Sequence, residues 1–257
     1  MPVIVGAGIL GLIFGSFGTV AAYRIPERQS IVTGRSRCPH CGRTITASEN
    51  IPVLSYLMQG GRCRHCGEKI SIRYPLIELA TGALFALAVW KFGLTGKAAL
   101  YAAFFWVLIV LSVIDLEHRL LPNRVVFPAT VVGWIGLLTV AIVDGDADRL
   151  LDAAIGALIF GGFLFVCAFL YPAGMGGGDV KLGFLLGTFL GYQGGAGLVL
   201  VGMFLSFLIG AVFGVGAVLA RRAGRKSMVP FGPFLALGTV LTVLWGQGLL
   251  DWYLDRL

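Results

Sequence analysis

The sequence predicts an all-α polytopic membrane protein with about eight transmembrane helices and a small zinc-binding domain between the first helix and the second. Of its 257 residues, 57% are hydrophobic and only 13% are charged, whereas soluble domains carry about a quarter charged residues. Several apolar runs approach the roughly 20 residues that a helix needs to cross the hydrocarbon core of a bilayer. The 38 glycines fit close helix packing in lipid and would weaken the helices of a soluble protein.

Eight apolar segments are predicted to cross the bilayer as helices. The first, residues 3–22, follows no basic region and precedes Arg24 and Arg28, so we expect a retained anchor with its N-terminus outside. Within it, Gly11 and Gly15 have the small-residue spacing that favours helix contact. The other seven spans are predicted at residues 76–90, 98–114, 125–143, 153–170, 180–190, 198–220 and 231–250. The sixth span is short, so a re-entrant segment is an alternative there.

The distribution of charge predicts the orientation of these spans. With the N-terminus outside, the cytoplasmic segments are residues 23–75, 115–124, 171–181 and 221–227, which together hold sixteen of the twenty Lys and Arg residues. This asymmetry agrees with the positive-inside rule and places both termini outside. The net charge of +7 therefore reflects membrane orientation, and no nucleic-acid partner is expected.

The only long polar stretch, residues 23–75, contains two Cys-x-x-Cys pairs, each followed by a glycine. The four cysteines are Cys38, Cys41, Cys63 and Cys66. Two such pairs can hold one zinc ion in a tetrahedral shell of four thiolates. His40 or His65 could replace a cysteine as a ligand, and disulfides are the other alternative, which a reducing cytoplasm disfavours. Four protein ligands leave no open position, so the zinc is predicted to stabilise the loop and not to take part in chemistry.

Two carboxylates, Asp115 and Asp179, lie at the ends of predicted spans, and the predicted orientation places both at the cytoplasmic face. An ionisable residue at such a position is costly without a partner or a water-filled pocket, so both are candidates for function. Two adjacent carboxylates share one proton, and the pair can then activate water and polarise a carbonyl, as in aspartic proteases. Before Asp179, Gly176, Gly177 and Gly178 would allow tight turns and let an extended substrate backbone approach.

The residues alone leave other interpretations open. Each aspartate could form an ordinary interfacial salt bridge with a neighbouring base. The neighbouring bases are His118, Arg119 and Arg124 for Asp115, and Lys181 for Asp179. The two carboxylates could instead bind a proton or a metal ion in a membrane transporter that carries a cytoplasmic zinc domain, although no convincing internal repeat supports a transporter. A scaffold that docks other proteins through the zinc loop is a third interpretation.

Short motifs along nearly the whole chain together resemble one family. They are Gly15-Ser-Phe, Cys38-Pro-x-Cys41, Glu49-Asn-Ile-Pro52, Ser55-Tyr56, Cys63-x-x-Cys66, Ile70-Ser-x-Arg-Tyr-Pro75, Asp115 with Leu121-Pro122, Gly176-x-Gly178-Asp179-Val-Lys-Leu182 and Pro230-Phe-Gly-Pro-Phe234. With them the chain resembles the type IV prepilin peptidases, which are bifunctional leader peptidases and N-methyltransferases of bacterial inner membranes. The Gly-x-Gly-Asp element alone is less specific, because presenilin-like intramembrane proteases share it.

The resemblance implies that Asp115 and Asp179 are the catalytic aspartates. They would remove a short basic leader, after a glycine, from prepilins and from pseudopilins of type II secretion. The new N-terminal residue would then be methylated with S-adenosylmethionine, for which the sequence identifies no binding residue. The four cysteines would form the zinc site of the family's cytoplasmic domain. The chain is accordingly divided into a first transmembrane helix (residues 1–22), a cytoplasmic zinc domain (23–75) and a membrane-embedded aspartic peptidase domain (76–257).

Overall fold

The computed structural model describes residues 1–172, 175–220 and 230–256. Regular secondary structure in these residues is helical, apart from two isolated β-bridges, which confirms the predicted all-α class. The predicted cytoplasmic loop at residues 221–227 lies outside the described residues, as do residues 173 and 174 of the segment before Asp179.

The long helices begin and end close to the predicted spans. In chain order the helices are α1 (Pro2–Arg24), α2 (Leu54–Met58), α3 (Arg73–Phe92), α4 (Gly96–His118), α5 (Asn123–Asp144), α6 (Asp148–Leu170), α7 (Gly177–Leu219), α8 (Gly232–Leu241) and α9 (Gln247–Leu254). A 3-10 turn (Ala47–Asn50) precedes α2, and a π-helical turn (Thr242–Gly246) joins α8 to α9. The main difference is in α4, which continues past the predicted end at residue 114, so that Asp115 lies inside a helix.

Seven helical segments in the described part of the chain are long and apolar enough to cross a membrane. The longest, α7, has 43 residues and is interrupted at Gly194 and Gly195, where Gly195 has a φ of +66° that favours glycine. The Leu190 side chain lies against Gly202. In one straight helix these two residues would be about 18 Å apart, so the chain reverses at the interruption. Helix α7 therefore contains both the sixth and the seventh predicted spans, and the prediction of about eight membrane helices is confirmed.

Residue contacts divide the chain into two compact units, Met1–Val110 and Leu111–Leu257, with the boundary inside α4. The first unit contains the four cysteines of the polar loop, and the second contains Asp115 and Asp179. The division expected from the sequence, into residues 1–22, 23–75 and 76–257, separates membrane segments from the polar loop. It stays a prediction.

In the first unit, α1 packs on α3 through the glycine pair noted in the sequence. A Cβ at Gly11 would lie 2.8 Å from the Cα of Gly82, and one at Gly15 would lie 2.6 Å from the Cα of Glu78. Only glycine permits backbones to approach this closely, which confirms the predicted packing role of the pair.

A buried carboxylate attaches the polar loop to α3. Glu78, which is 8% exposed, accepts the N–H of Val53 through Oε2 at 2.7 Å. Val53 has a φ of +61°, which is rare for a β-branched residue, and the Leu54 N–H donates to the Pro52 carbonyl across it at 2.6 Å. This strained turn and its acceptor fix the point at which the loop enters α2.

In the second unit, α6 packs along the first half of α7 through glycines on both helices. A Cβ at Gly156 would overlap the carbonyl oxygen of Gly187, and a Cβ at Gly187 would overlap that of Gly156. Phe160 is fully buried beside this contact. Because the two backbones meet directly, α6 determines where the N-terminus of α7 lies.

Candidate active site

The first predicted carboxylate, Asp115, is buried near the C-terminal end of α4. Its side chain is one of the few buried charged groups among the described residues, with the residue 5% exposed. Its Oδ2 accepts the backbone N–H of Gly232, the first residue of α8, at 3.0 Å. The first N–H groups of a helix have no acceptor within that helix, and its N-terminus favours negative charge. The N-terminus of α8 therefore supplies the hydrogen-bond partner of Asp115.

The second predicted carboxylate, Asp179, is half-buried in the first turn of α7. Its Oδ2 accepts the backbone N–H of Gly176 at 3.3 Å, and its own N–H donates to the Gly176 carbonyl at 3.1 Å. An acidic side chain at the third helical position that reaches back to the residue before the helix is a common helix cap. Asp179 is thus held by the N-terminus of α7, much as Asp115 is held by that of α8.

The Leu121 side chain connects the two carboxylate positions. A Cβ at Gly178 would lie 2.9 Å from the Leu121 Cβ, and a Cβ at Gly232 would lie 3.4 Å from the Leu121 Cδ2. Leu121 therefore lies between the helix starts that hold Asp179 and Asp115. The structure thus brings together the two aspartates selected from the sequence.

Neighbouring bases do not explain the positions of these aspartates. Lys181 is directed towards α5, where its Nζ donates to Asn123 Oδ1 at 2.9 Å and lies 5.4 Å from the centre of the Phe127 ring. Among the described residues, the side-chain hydrogen bonds of both aspartates come from backbone N–H groups of glycines. The salt-bridge interpretation therefore does not describe this site.

The glycines before Asp179 differ from one another in their surroundings. Gly176 has φ −77° and ψ 147°, while Gly177 and Gly178 are the first helical residues of α7, so none of the three needs a left-handed backbone. Their backbone conformations therefore do not explain why these positions are glycines, and their role in substrate approach stays a prediction. Gly178 is required by its contact with Leu121, whereas no atom of a described residue would lie within 4 Å of a Cβ at Gly177.

Gly232 is the site residue that sequence reasoning missed. The sequence presents it only as part of Pro230-Phe-Gly-Pro-Phe234, at the start of the last span. Its bond to Asp115 joins residues 117 positions apart, and no local pattern indicates such a pairing. The signal available in the sequence was the unusual Gly-Pro pair at the start of an apolar segment.

The four cysteines form a separate candidate metal centre in the first unit. Their Sγ atoms all lie within 4.8 Å of one another, and those of Cys38 and Cys66 are 3.9 Å apart. Tetrahedral zinc with bonds of about 2.3 Å places its sulfur ligands roughly 3.8 Å apart, so both the ligand type and the spacing fit. All five cysteines of the chain are free, and the cluster could hold a metal ion.

Two knuckles of the same geometry present these thiols. The Cys38 N–H donates to the carbonyl of Arg43 at 2.9 Å, and the Cys63 N–H donates to that of Glu68 at 2.8 Å. The glycine after each pair has a positive φ, +68° at residue 42 and +72° at residue 67, which explains the Cys-x-x-Cys-Gly pattern. The backbone N–H groups of Cys66 and His65 lower the pKa of the Cys63 thiol to about 7, whereas desolvation and the neighbouring thiols raise the pKa of the Cys66 thiol to about 12.

The His65 ring has partners outside the cysteine cluster. Its Nδ1 lies 3.2 Å from Arg43 Nη1, and its Nε2 lies 3.4 Å from Glu49 Oε1. Because a guanidinium can only donate, Nδ1 is the acceptor and Nε2 carries the proton that faces Glu49. The ring therefore links the two knuckles to the 3-10 turn, and four thiols remain as the candidate ligands.

Comparison with known proteins gives the family. Two family models match the chain, the Bacterial Peptidase A24 N-terminal domain over residues 9–92 and the Type IV leader peptidase family over residues 102–215. The prepilin leader peptidase/N-methyltransferase of Bacillus subtilis (strain 168) is 38% identical over 250 residues, which cover 96% of each chain. Proteins of the same name from Aeromonas salmonicida (strain A449) and Pseudomonas aeruginosa are 37% and 35% identical, over 97% and 96% of this chain and 93% and 92% of their own. The chain belongs to the type IV leader peptidase family. No solved structure gives a significant match.

Membership of the type IV leader peptidase family confirms the resemblance inferred from the sequence motifs. The leader peptidase match contains both Asp115 and Asp179, and the N-terminal domain match contains the four cysteines. Gly232 lies beyond residue 215, where the leader peptidase match ends, so its contact with Asp115 becomes apparent only from the structure.

Proposed function

We propose that this protein is a prepilin leader peptidase and N-methyltransferase in which Asp115 and Asp179 catalyse the cleavage. The relatives that share its full length carry that name. The observation that supports the catalytic assignment best is the pair of carboxylates, each held through Oδ2 by a backbone N–H at the start of a different helix. This arrangement leaves Oδ1 of each carboxylate available for water and substrate.

The chemistry would follow that of other aspartic peptidases. The ionised carboxylate removes a proton from water as the water oxygen attacks the scissile carbonyl, and the protonated carboxylate donates to the carbonyl oxygen. The tetrahedral intermediate then collapses as the carbon–nitrogen bond breaks, and a proton passes from the dyad to the departing amine. The two backbone N–H bonds keep the carboxylates in place during both steps, which reduces the reorganisation needed in the transition state.

The substrate class follows from the family and from the charge distribution. A prepilin has a basic leader and an apolar helix, so its cleavage site would lie at the cytoplasmic surface of a bacterial inner membrane. The excess of Lys and Arg in alternate loops supports an orientation with both termini outside and with the dyad and the cysteine loop at that surface. Among the described residues no atom would lie within 4 Å of a Cβ at Gly177, which supports an approach of extended substrate over the start of α7. Pseudopilins of type II secretion also have a basic leader and an apolar helix, so they belong to the same proposed substrate class.

Two cofactors belong to the proposal. Cys38, Cys41, Cys63 and Cys66 would hold a zinc ion, which when bound supplies folding energy to a loop too small for a large core. S-adenosylmethionine would supply the methyl group for the new N-terminal amine. We assign no residue to its binding.

Mass spectrometry of a pilin N-terminus after co-expression tests the proposed function. With the unchanged protein, we expect a pilin that lacks its leader and carries one methyl group on its new N-terminal amine. With Asp115→Asn or Asp179→Asn, we expect full-length prepilin, while immunoblots of membranes show normal amounts of each variant. Processed pilin in either variant would rule out the assignment of the dyad. Normal processing in both variants combined with loss on Cys→Ser substitution would favour the scaffold interpretation.

A further inference from the structure

The N-terminus of α8 directs a single backbone donor at Asp115. Gly232 is the first residue of this helix and is buried, and its N–H lies 3.0 Å from Asp115 Oδ2. Pro233 follows and has no N–H. The N–H groups of Phe234 and Leu235 both donate to the carbonyl of Phe231, at 3.1 Å each. Every donor of this first turn is therefore accounted for, and Gly232 alone serves the carboxylate.

Packing on both sides holds this donor in position. The Phe231 ring packs against that of Phe207 in the second half of α7, with centroids 5.2 Å apart. Pro233 restricts the backbone directly after Gly232 and favours the start of a helix. The Gly232 N–H is thus fixed between an aromatic contact and a proline, while its partner Asp115 is fixed within α4.

The same contact requires glycine at position 232. A Cβ there would lie 2.7 Å from Asp115 Oδ2, 3.3 Å from its Cγ and 3.4 Å from Leu121 Cδ2. Real Cβ atoms do not approach other atoms to 2.7 Å, so any larger residue would displace the carboxylate. Position 232 therefore both donates to Asp115 and leaves room for it.

We propose that Gly232 is a positioning residue of the active site, whose N–H fixes Asp115 Oδ2 so that Oδ1 faces the reacting atoms. This inference rests on the proposed function, because it acts through Asp115. The Phe231-Gly-Pro-Phe234 element then belongs to the catalytic site as well as to the start of the last span. Gly232 would affect the rate of the chemical step and not substrate binding, because its N–H bonds only to the Asp115 carboxylate.

A backbone ester at position 232 tests this inference with minimal change in shape. Glycolic acid in place of Gly232, introduced by cell-free translation, replaces the N–H with an oxygen. Because the first N–H of a helix has no acceptor in that helix, α8 loses no hydrogen bond of its own. We expect kcat for cleavage of a prepilin peptide to fall about 10- to 100-fold, with KM unchanged. Gly232→Ala should lower kcat at least as far.

Gly248→Ala is the matched control in the same membrane segment. Among the described residues, no atom would lie within 4 Å of a Cβ at Gly248, so kcat should equal that of the unchanged protein. Wild-type kcat in the ester variant, or a rise in KM alone, would overturn the positioning role. If the ester lowers the unfolding temperature, kcat is measured below that temperature and is judged by the same criterion. Cleavage that persists in Asp115→Asn would instead overturn the proposed function itself.

Discussion

At the scale of single residues, the two aspartates have the same kind of hydrogen-bond donor, although they lie at different positions on their helices. Asp115 lies near the end of α4 and Asp179 at the start of α7, yet each accepts one glycine N–H through Oδ2. A backbone donor cannot change rotamer or lose its proton, so it holds a carboxylate more rigidly than a lysine or an arginine side chain would. The glycines around the site matter for two reasons, as donors and as places where no side chain intervenes.

Gly177→Ala tests whether the start of α7 lies against the substrate. Among the described residues no atom would lie within 4 Å of the new Cβ, and alanine favours a helix by up to about 1 kcal/mol over glycine. We therefore expect an unchanged or higher unfolding temperature, together with a KM for prepilin peptide raised about tenfold, equivalent to ~1.4 kcal/mol. Steady-state kinetics and thermal unfolding in detergent measure both. An unchanged KM would show that the substrate does not pass over this position.

Single residues also show how far the sequence could predict the site. Asp115 and Asp179 were identifiable because ionisable residues beside apolar runs are rare and costly. The requirement for glycine at position 178 could not be predicted, because it comes from Leu121 in a distant part of the chain. Gly232 was missed for the same reason. A sequence reports the cost of burying a charge, but the partner that offsets this cost is determined by tertiary packing.

At the scale of elements, the apolar runs predicted the helices well, and the errors lie at their ends. Hydropathy ended the third span at residue 114, whereas α4 continues to His118. A membrane span ends where polarity changes, but a helix ends where its backbone hydrogen bonds end. The gap between the sixth and seventh predicted spans, residues 191–197, is narrower in the structure, where only Gly194 and Gly195 leave the helical conformation of α7. The reversal there was predictable from glycine content, but its exact position was not.

The packing of α6 on α7 yields a prediction at this scale. Gly156→Ala and Gly187→Ala should each destabilise the protein by about 1–3 kcal/mol, because the new Cβ would overlap backbone atoms that cannot move aside. Gly162→Ala is the control on α6, since no atom of a described residue would lie within 4 Å of its Cβ. Thermal unfolding of the three variants in one detergent provides the comparison. Equal unfolding temperatures for Gly156→Ala and Gly162→Ala would contradict the close contact.

At the scale of the whole molecule, the chain combines two kinds of construction. Its membrane helices pack through glycines, as expected where lipid removes the hydrophobic drive between helices. Its polar loop buries few side chains and has two knuckles whose thiols converge within 4.8 Å. The sequence predicted this combination from composition and from cysteine spacing alone, because both signals are local. The pairing of α4 with α8 depends on residues more than a hundred positions apart, and it needed the structure.

Metal analysis of the purified protein tests whether the four-cysteine loop binds zinc. We expect about one zinc ion per chain, lost in Cys38→Ser and in Cys63→Ser because three thiolates leave the tetrahedral shell incomplete. Cys167→Ser is the matched control, since this cysteine lies on α6 outside the cluster and its variant should keep the zinc. Protease digestion of the loop should be faster in the two variants that lose zinc. A zinc-free protein with two oxidised cysteine pairs would contradict the metal site.

Whether Asp115 and Asp179 act as one catalytic unit is decided by kcat of the single and double Asn variants. Groups that act as a unit are non-additive, because losing either one disables the other. We predict that Asp115→Asn and Asp179→Asn each lower kcat at least about a thousandfold, and that the double variant is no slower than either single variant. Partial losses that multiply in the double variant, or near-normal kcat in either single variant, would contradict the dyad.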